Sequence, residues 1–342
     1  MTISSGPKRK QVLSGMQPTG NLHLGRYFGA IQNWVNLQES YDCIYSIVDY
    51  HAMTMPFDPH RLREQVWELV YDIMAVGVKP ENIFIQSMIP EHTELSWIFN
   101  CLSSYGEVSR MTQFKDKSQQ INEKDKDSFI STGLFTYPVL QAADILIYRA
   151  DYVPVGKDQD QHLELTRNIA NRFNQLVGKE YFILPETLYT DLPKVLSTAD
   201  PSKKMSASLG PKHHISVFAD ADVIRKQIKS AVTDSGDTPL GQISPGVQNL
   251  LDMIRASGGH PELDSFRDHA ISGTLQYGRL KEAAADVIIA MTDTFKHKRQ
   301  EISSDKVRYQ ESVAASSQVI RKRAQETVRE VKDLIGLMNV PL

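Results

Sequence analysis

Two short segments of this 342-residue chain carry side chains suited to phosphate chemistry. The first is Pro18-Thr19-Gly20-Asn21-Leu22-His23-Leu24-Gly25-Arg26, and the second is Lys203-Lys204-Met205-Ser206-Ala207-Ser208. In the first, His23 and Arg26 supply hydrogen-bond donors, and Gly20 and Gly25 let a ligand approach the backbone closely. The run Gln11 to Met16 before it is short and partly apolar and reads as a buried strand. After it, Leu24, Phe28, Ile31 and Val35 recur at i, i+4, i+7 and i+11, one face of an amphipathic helix. A helix N-terminus presents free N–H groups and a positive dipole end, which suits an anion. The second segment lies between Pro201 and Gly210 and reads as a loop. Its lysines act as mobile point charges that can follow a departing pyrophosphate. Either segment alone also reads as an ordinary polar turn. Their co-occurrence makes the phosphate reading the stronger one.

Asp144 is the third candidate. It lies in an apolar run from Leu140 to Tyr148, and Tyr137, Gln141 and Asp144 share one helical face at i, i+4 and i+7. A carboxylate there is costly unless satisfied. It is either paired with a core arginine or a backbone donor, or it accepts a hydrogen from a mostly apolar ligand. An indole N–H is donor-only and needs such an acceptor. Pro138 is expected in the first turn of this helix. Downstream, residues 152–156 read as a strand, and a helix opens at Lys157 and runs to about residue 174. Asp158 and Gln159 then sit at a strand's end, where α/β sheets place ligands such as a ribose. A plain helix N-cap is the competing role of Asp158, and the helix start alone favours it.

Those residues must be positioned by alternating elements. Residues 43–48 and 82–86 read as strands; residues 60–76 and 91–101 read as helices with proline at their starts. This alternation predicts an α/β fold, a parallel sheet covered by helices, up to about residue 215. Residues 118–131 read as a mobile polar segment. Beyond residue 220 the pattern is helical at 220–232, 247–256, 280–299 and 306–334. The expected organisation is a Rossmann-like nucleotide-binding domain over residues 8–215 and an all-α domain over residues 216–342.

Further motifs make the family visible. They are Ser14-Gly15-Met16-Gln17-Pro18-Thr19-Gly20, Met111 to Ser118, Ala142 to Leu146, Val153 to Gln159, Ala231 to Ser235 and Pro245 to Leu251. In this order the chain resembles a bacterial-type tryptophanyl-tRNA synthetase, a class I enzyme, along nearly its whole length. The resemblance implies activation of L-tryptophan with ATP·Mg²⁺ to an adenylate, then transfer to tRNA(Trp). ATP enters as a substrate complex, and no tightly bound cofactor or protein-held metal is implied. By the resemblance, Gln17, Pro18, Thr19, Gly25 and Arg26 line the ATP site. Gly156, Asp158 and Gln159 hold the ribose with Lys157 beside them, Val195 lies near the adenine, and Lys117 with Lys204, Met205, Ser206, Ala207 and Ser208 contacts phosphates. His23, Arg26, Lys117 and Lys204 would stabilise developing charge, with no covalent catalyst. Asp144 would take the indole N–H within a wall of Tyr137, Gln141, Leu13, Met16, Val48, His51, Val153 and Val155. For His51 and the valines simple core packing is the alternative. The all-α domain would bind the anticodon, and a homodimer is implied.

The departures from the family pattern are informative. Arg26 stands where His or Asn is usual, Ala207 where a second Lys is common, and Gln141 where an apolar residue is common. One expectation is that Arg26 restores the charge missing at Ala207. The rival readings are a tyrosyl-tRNA synthetase and a non-catalytic synthetase-like RNA-binding paralogue.

Composition narrows the rest. A chain 41% hydrophobic can bury a large core and a second smaller one. Two cysteines are too few for a disulfide framework or a four-cysteine cluster. No run approaches a membrane span, and residues 1–10 lack a secretory apolar stretch, so the cytoplasm is expected and no membrane partner. A net charge of −3 argues against a general nucleic-acid binder. Candidate tRNA contacts are Arg225, Lys226 and Lys229, then Lys296 to Arg299, then Arg321 to Arg323, each of which also reads as a solvated helix face.

Overall fold

Strand β1, Gln11–Met16, pairs in parallel with β2, Asp42–Ile47, along its whole length. In the computed structural model the described residues are 9–114, 118–119, 121, 129–156, 159–189, 194–234, 236 and 238–340. The sheet has the order β3-β2-β1-β4-β5, with β3 Ile83–Ile85, β4 Tyr152–Pro154 and β5 Glu186–Leu188. All four pairings are parallel. The chain runs outward from β1 to β3, then returns to the other side of β1 for β4. That reversal makes a crevice at the C-terminal ends of β1 and β4, where an open α/β sheet binds its ligand.

Side-chain alternation along β1 divides the core. Val12 packs with Leu24, Phe28, Ile31 and Trp34 of the first helical stretch. Leu13 packs on the other face with Ile44 and Phe84. The first stretch, α1, is α-helical at Leu24–Arg26, π-helical at Tyr27–Ile31 and α-helical again at Gln32–Leu37. Such a π turn is typical of functional sites. Trp34 is fully buried and stacks on Tyr45 with ring centroids 4.5 Å apart, a pairing worth about 0.5–1.5 kcal/mol beyond burial.

Helices α2 (Pro59–Ala75), α3 (Glu91–Leu102), α4 (Thr132–Leu146) and α5 (Asp160–Val177) cover the sheet. Pro138 lies inside α4, not in its first turn as the sequence suggested. Ser131 starts the helix instead, its Oγ accepting from Leu134 N–H at 3.1 Å. Burial of Leu134, Val139, Ala142 and Ile145 holds the helix through the proline. The strand read over 152–156 ends at Pro154.

After β5 the regular elements are helical: α6 (Ala221–Lys229), α7 (Pro245–Ala256), α8 (Leu263–Ile271), α9 (Tyr277–Ser304) and α10 (Lys306–Ile335). Helix α8 was not legible in the sequence. Val247, Leu250, Leu280 and Ile288 join the same apolar cluster as α1 and α2. Helix α10 reaches both faces, with Val313 in that cluster and Ile320 and Val328 in the opposite one. It covers the β3 edge, where Ser317 Oγ accepts from Ile85 N–H at 3.4 Å and Ser316 Oγ donates to the Glu81 carbonyl at 2.9 Å. An edge strand covered this way cannot recruit a foreign strand.

Candidate active site

The crevice holds a cavity of about 460 Å³. Leu13, Gly15, Val48, His51, Tyr137, Gln141, Asp144, Ile145, Val153 and Val155 line one part of it, and Gln17, Gly156, Gln159 and Lys204 line another. The cavity therefore joins the amino-acid and nucleotide candidates read from the sequence. Met16 is an exception. Three residues after Leu13 on a strand of period two, it points to the opposite face and packs against the α1 side of the core. Gly15 takes the place assigned to it. A Cβ there would stand 3.0 Å from Val48 Cγ1, so glycine keeps this wall thin.

Asp144 is buried and fully engaged with the protein. It accepts from His92 Nδ1 at 2.6 Å, from His51 Nε2 at 2.8 Å, and from Gln86 Nε2 at 2.8 and 2.9 Å. His92 Nε2 lies 2.7 Å from the Tyr148 hydroxyl, which extends the network inward. Burial alone would push the Asp144 carboxyl up. Hydrogen bonds and charge from His51 and His92 outweigh burial and hold it well below the usual carboxylate range. The protein partners are thus two histidines and a glutamine, not the arginine or backbone donor the sequence suggested, and Asp144 also lines the cavity. Gln86 and His92 were not found from sequence, because they come from the turn after β3 and the first turn of α3 and carry no local signal. Tyr137 donates toward Gln113 Oε1 at 3.1 Å and contacts His162 Nε2 at 2.9 Å. Burial pushes its hydroxyl up to about 12. Ser46 and Asn33 belong to the cavity wall, and Ser46 Oγ and Asn33 Nδ2 are buried without a partner among the described residues. Unpaired buried groups of this kind call for a ligand or water.

The two segments read as phosphate candidates are built differently, from backbone contacts. Arg26 donates to the carbonyls of Thr19 at 2.6 Å and Gln17 at 2.8 Å, folding the loop back on its own guanidinium. Gly20 has φ of 66°, a left-handed turn that favours glycine. These bonds give Arg26 a local task unrelated to Ala207. His23 is buried, and its pKa is lowered to about 4 by desolvation first, then by Arg26, His214 and Lys204. It is therefore a neutral donor near neutral pH rather than a cation.

The two segments meet directly. Met205 is 2% exposed and its Sδ lies 3.2 Å from Gly25 N. A Cβ on Gly25 would stand 3.0 Å from Met205 Cβ and 3.1 Å from His23 Nδ1. Leu24 N–H donates to the Ile215 carbonyl at 2.9 Å and Val217 N–H to the Leu22 carbonyl at 3.0 Å. Val195, buried in the core, accepts from Met205 N–H at 3.0 Å. Ser206 Oγ lies 2.8 Å from Ser208 Oγ and caps the turn Ala207–Leu209. Lys203 pairs with Asp200 at 2.9 Å, whereas Lys204 reaches the cavity. Pro18, Thr19, Gly25, Val195, Met205, Ser206, Ala207 and Ser208 surround this junction without lining the cavity. Lys117, Lys157 and Asp158 lie outside the described residues, as does most of 118–131.

Several of the basic groups suggested for nucleic acid are committed elsewhere. Arg299 pairs with Asp72 at 2.8 Å and with Glu68. Arg321 pairs with Glu91 at 2.9 Å and Arg323 with Asp42 at 3.0 Å. Arg225 pairs with Asp286 at 2.8 Å.

Comparison with known proteins bears on this geometry. The family model for tRNA synthetases class I (W and Y) matches residues 7–293. A tryptophan–tRNA ligase of Clostridium acetobutylicum is 41% identical over 337 residues, 97% of this chain and 98% of its own. Tryptophan–tRNA ligase 2 of Streptomyces avermitilis is 42% identical over 339 residues, 96% of this chain and 98% of its own. Among solved structures, the tryptophanyl-tRNA synthetase of Campylobacter jejuni complexed with ADP and tryptophan aligns with a TM-score of 0.79 at 32% identity, covering 96% of this chain and 100% of that one. The Mycoplasma pneumoniae tryptophanyl-tRNA synthetase aligns with a TM-score of 0.84 at 32% identity, covering 96% and 98%.

Proposed function

The chain belongs to the class I tRNA synthetases for tryptophan and tyrosine, and we propose that its cavity is where tryptophan and ATP react. It is a tryptophan–tRNA ligase. The observation that carries the site assignment is the shared cavity: Asp144 with its apolar wall on one side, Gln17 and Lys204 on the other.

In this reading the indole lies along Gly15, Leu13 and Val48, and its N–H replaces one of the donors now on Asp144. A wrong ligand without that hydrogen forfeits the contact, and a hydrogen-bonding site of this type reaches roughly 10⁴–10⁵ in selectivity. The tryptophan carboxylate attacks the α-phosphorus of ATP, which arrives with its Mg²⁺, and pyrophosphate leaves. The terminal tRNA ribose then takes the acyl group. No protein nucleophile is required, so alignment and charge stabilisation carry the rate. Gln159 and Gly156 hold the ribose together with Asp158 and Lys157. Lys204 and Lys117 follow the phosphates. His23 donates as a neutral imidazole, and Arg26 acts by keeping the Gln17–Thr19 carbonyls turned away from the anion.

Residues 8–215 would be the catalytic domain and residues 216–342 the tRNA anticodon-binding part, working as a homodimer in the cytoplasm. The helical content of α6 to α10 supports the second assignment. None of the described helices is long and apolar enough to cross a membrane.

Amino-acid-dependent pyrophosphate exchange with tryptophan and tyrosine side by side tests the reading. Exchange with tryptophan and little with tyrosine is expected. Exchange with tyrosine alone, or with neither, would overturn it.

A further inference from the structure

Two sequence motifs, Ala231 to Ser235 and Pro245 to Leu251, have no place in the reaction as described. The fold brings both against the back of the Lys204 segment. Residues Val195–Ser197 and Lys203–Met205 form a small antiparallel pair, with Leu196 opposite Lys204. Ser197 N–H donates to the Lys203 carbonyl at 2.8 Å and Met205 N–H to the Val195 carbonyl at 3.0 Å. On its outer edge, Leu196 is held by Asn249 of α7 through both backbone groups. Asn249 Oδ1 accepts from Leu196 N–H at 2.8 Å, and Asn249 Nδ2 donates to the Leu196 carbonyl at 3.1 Å. The amide thus acts as a one-residue third strand. Asn249 is 5% exposed, so water does not replace it freely.

The anchor itself is rigid. A Cβ on Gly246 would stand 2.2 Å from the Val232 carbonyl oxygen and 2.5 Å from that of Thr233, so α7 touches Val232 and Thr233 backbone to backbone. Ser244 Oγ donates to the Thr233 carbonyl at 2.7 Å, and Val232 N–H donates to the Thr198 carbonyl at 2.8 Å. One continuous path therefore runs from the helical part to Leu196, to Lys204, and through Met205 to Gly25.

The geometry points to Asn249 as a positioning residue for adenylate formation: it fixes the strand whose partner presents Lys204 to the cavity. This inference rests on the reading of the cavity as an ATP site. Its test is pyrophosphate exchange at varied ATP for Asn249→Ala and Asn249→Asp, with tryptophan affinity measured separately without ATP. Gln248→Ala is the control, since the Gln248 side chain bonds to Asp252 within its own helix. Asn249→Ala should lower kcat/KM for ATP by about 10- to 100-fold, the scale of a small misplacement. Its tryptophan affinity should stay within about twofold of wild type, on the ordinary footing that distant sites act independently. Asn249→Asp keeps the acceptor for Leu196 N–H but opposes its carbonyl, and should fall between Ala and wild type. Gln248→Ala should match wild type. Normal ATP kinetics in folded Asn249→Ala would overturn the assignment. So would an equal loss of tryptophan and ATP binding in both Asn249 variants, because the residue would then support the fold generally. Absence of tryptophan-dependent exchange in the wild type would instead defeat the reading of the site.

Discussion

The two halves of the cavity are held by opposite means. On the proposed amino-acid side, the carboxylate is locked by side chains: three donor residues converge on Asp144 from the turn after β3, from α3 and from the turn after β2. On the proposed phosphate side, the segments are locked by backbone and by close packing of Gly25 on Met205, while Lys204 is left exposed. A pocket that must tell one ring from another gains from fixed side-chain geometry. A group that must track a leaving pyrophosphate gains from a fixed base and a free tip.

The comparison can be broken most sharply at Asp144. Asp144→Ala strands His51, His92 and Gln86 and removes the acceptor. Tryptophan-dependent exchange should be largely lost while ATP binding survives, and unfolding should cost about 3–5 kcal/mol less, as when a buried pair loses one partner. Near-normal exchange would mean that the carboxylate serves the core alone. On the other half, Gly25→Ala should push Met205 away and lower kcat/KM for ATP about tenfold, with tryptophan affinity unchanged; a 1.4 kcal/mol displacement cost suffices. An unchanged ATP dependence would show that the two segments are not coupled through this contact.

Arg26 sharpens the contrast between charge and scaffold. Arg26→Asn should weaken exchange several-fold, and adding Ala207→Lys should not restore it, because the Gln17 and Thr19 carbonyls would still lack their donor. Full restoration would show that charge, not loop geometry, is what Arg26 supplies. At neutral pH the smallest effect is expected at His23, whose contribution changes only in acid. Its pKa falls from 6.5 unfolded to about 4 folded, so the unfolded chain binds the extra proton between those values. Stability should therefore decline as pH drops from about 6.5 to 4 and be independent of this group above that window. Chemical denaturation of His23→Gln across that range should show a shallower decline than wild type.

Much of this was legible in the sequence because it is local. The strand–turn–helix at Gln11 to Ile31, the covering helices and the two phosphate segments all follow from periodicity, turn residues and capping. The Asp144 helix was legible too, although Pro138 misplaced its start: Ser131 caps the helix and core burial carries it through the proline. Met16 was expected on the cavity wall, but strand alternation puts Gly15 and not Met16 on the face of Leu13. The donors on Asp144 and the Asn249 grip on Leu196 were not legible. They join residues 52 to 93 positions apart in the first case and 53 in the second, and nothing in a single sequence registers such pairs.

The covering of β3 by α10 has a consequence for how the molecule is made. The sheet that carries the cavity has one flank exposed until the Lys306–Ile335 segment has left the ribosome. Until then the nascent chain exposes an open strand and the apolar residues of the opposite cluster that Ile320, Ala324, Val328 and Val331 cover, the state most prone to sticking to its neighbours. Completion of the catalytic half is thus tied to late synthesis, and early termination within α10 should yield not a smaller enzyme but an aggregating fragment.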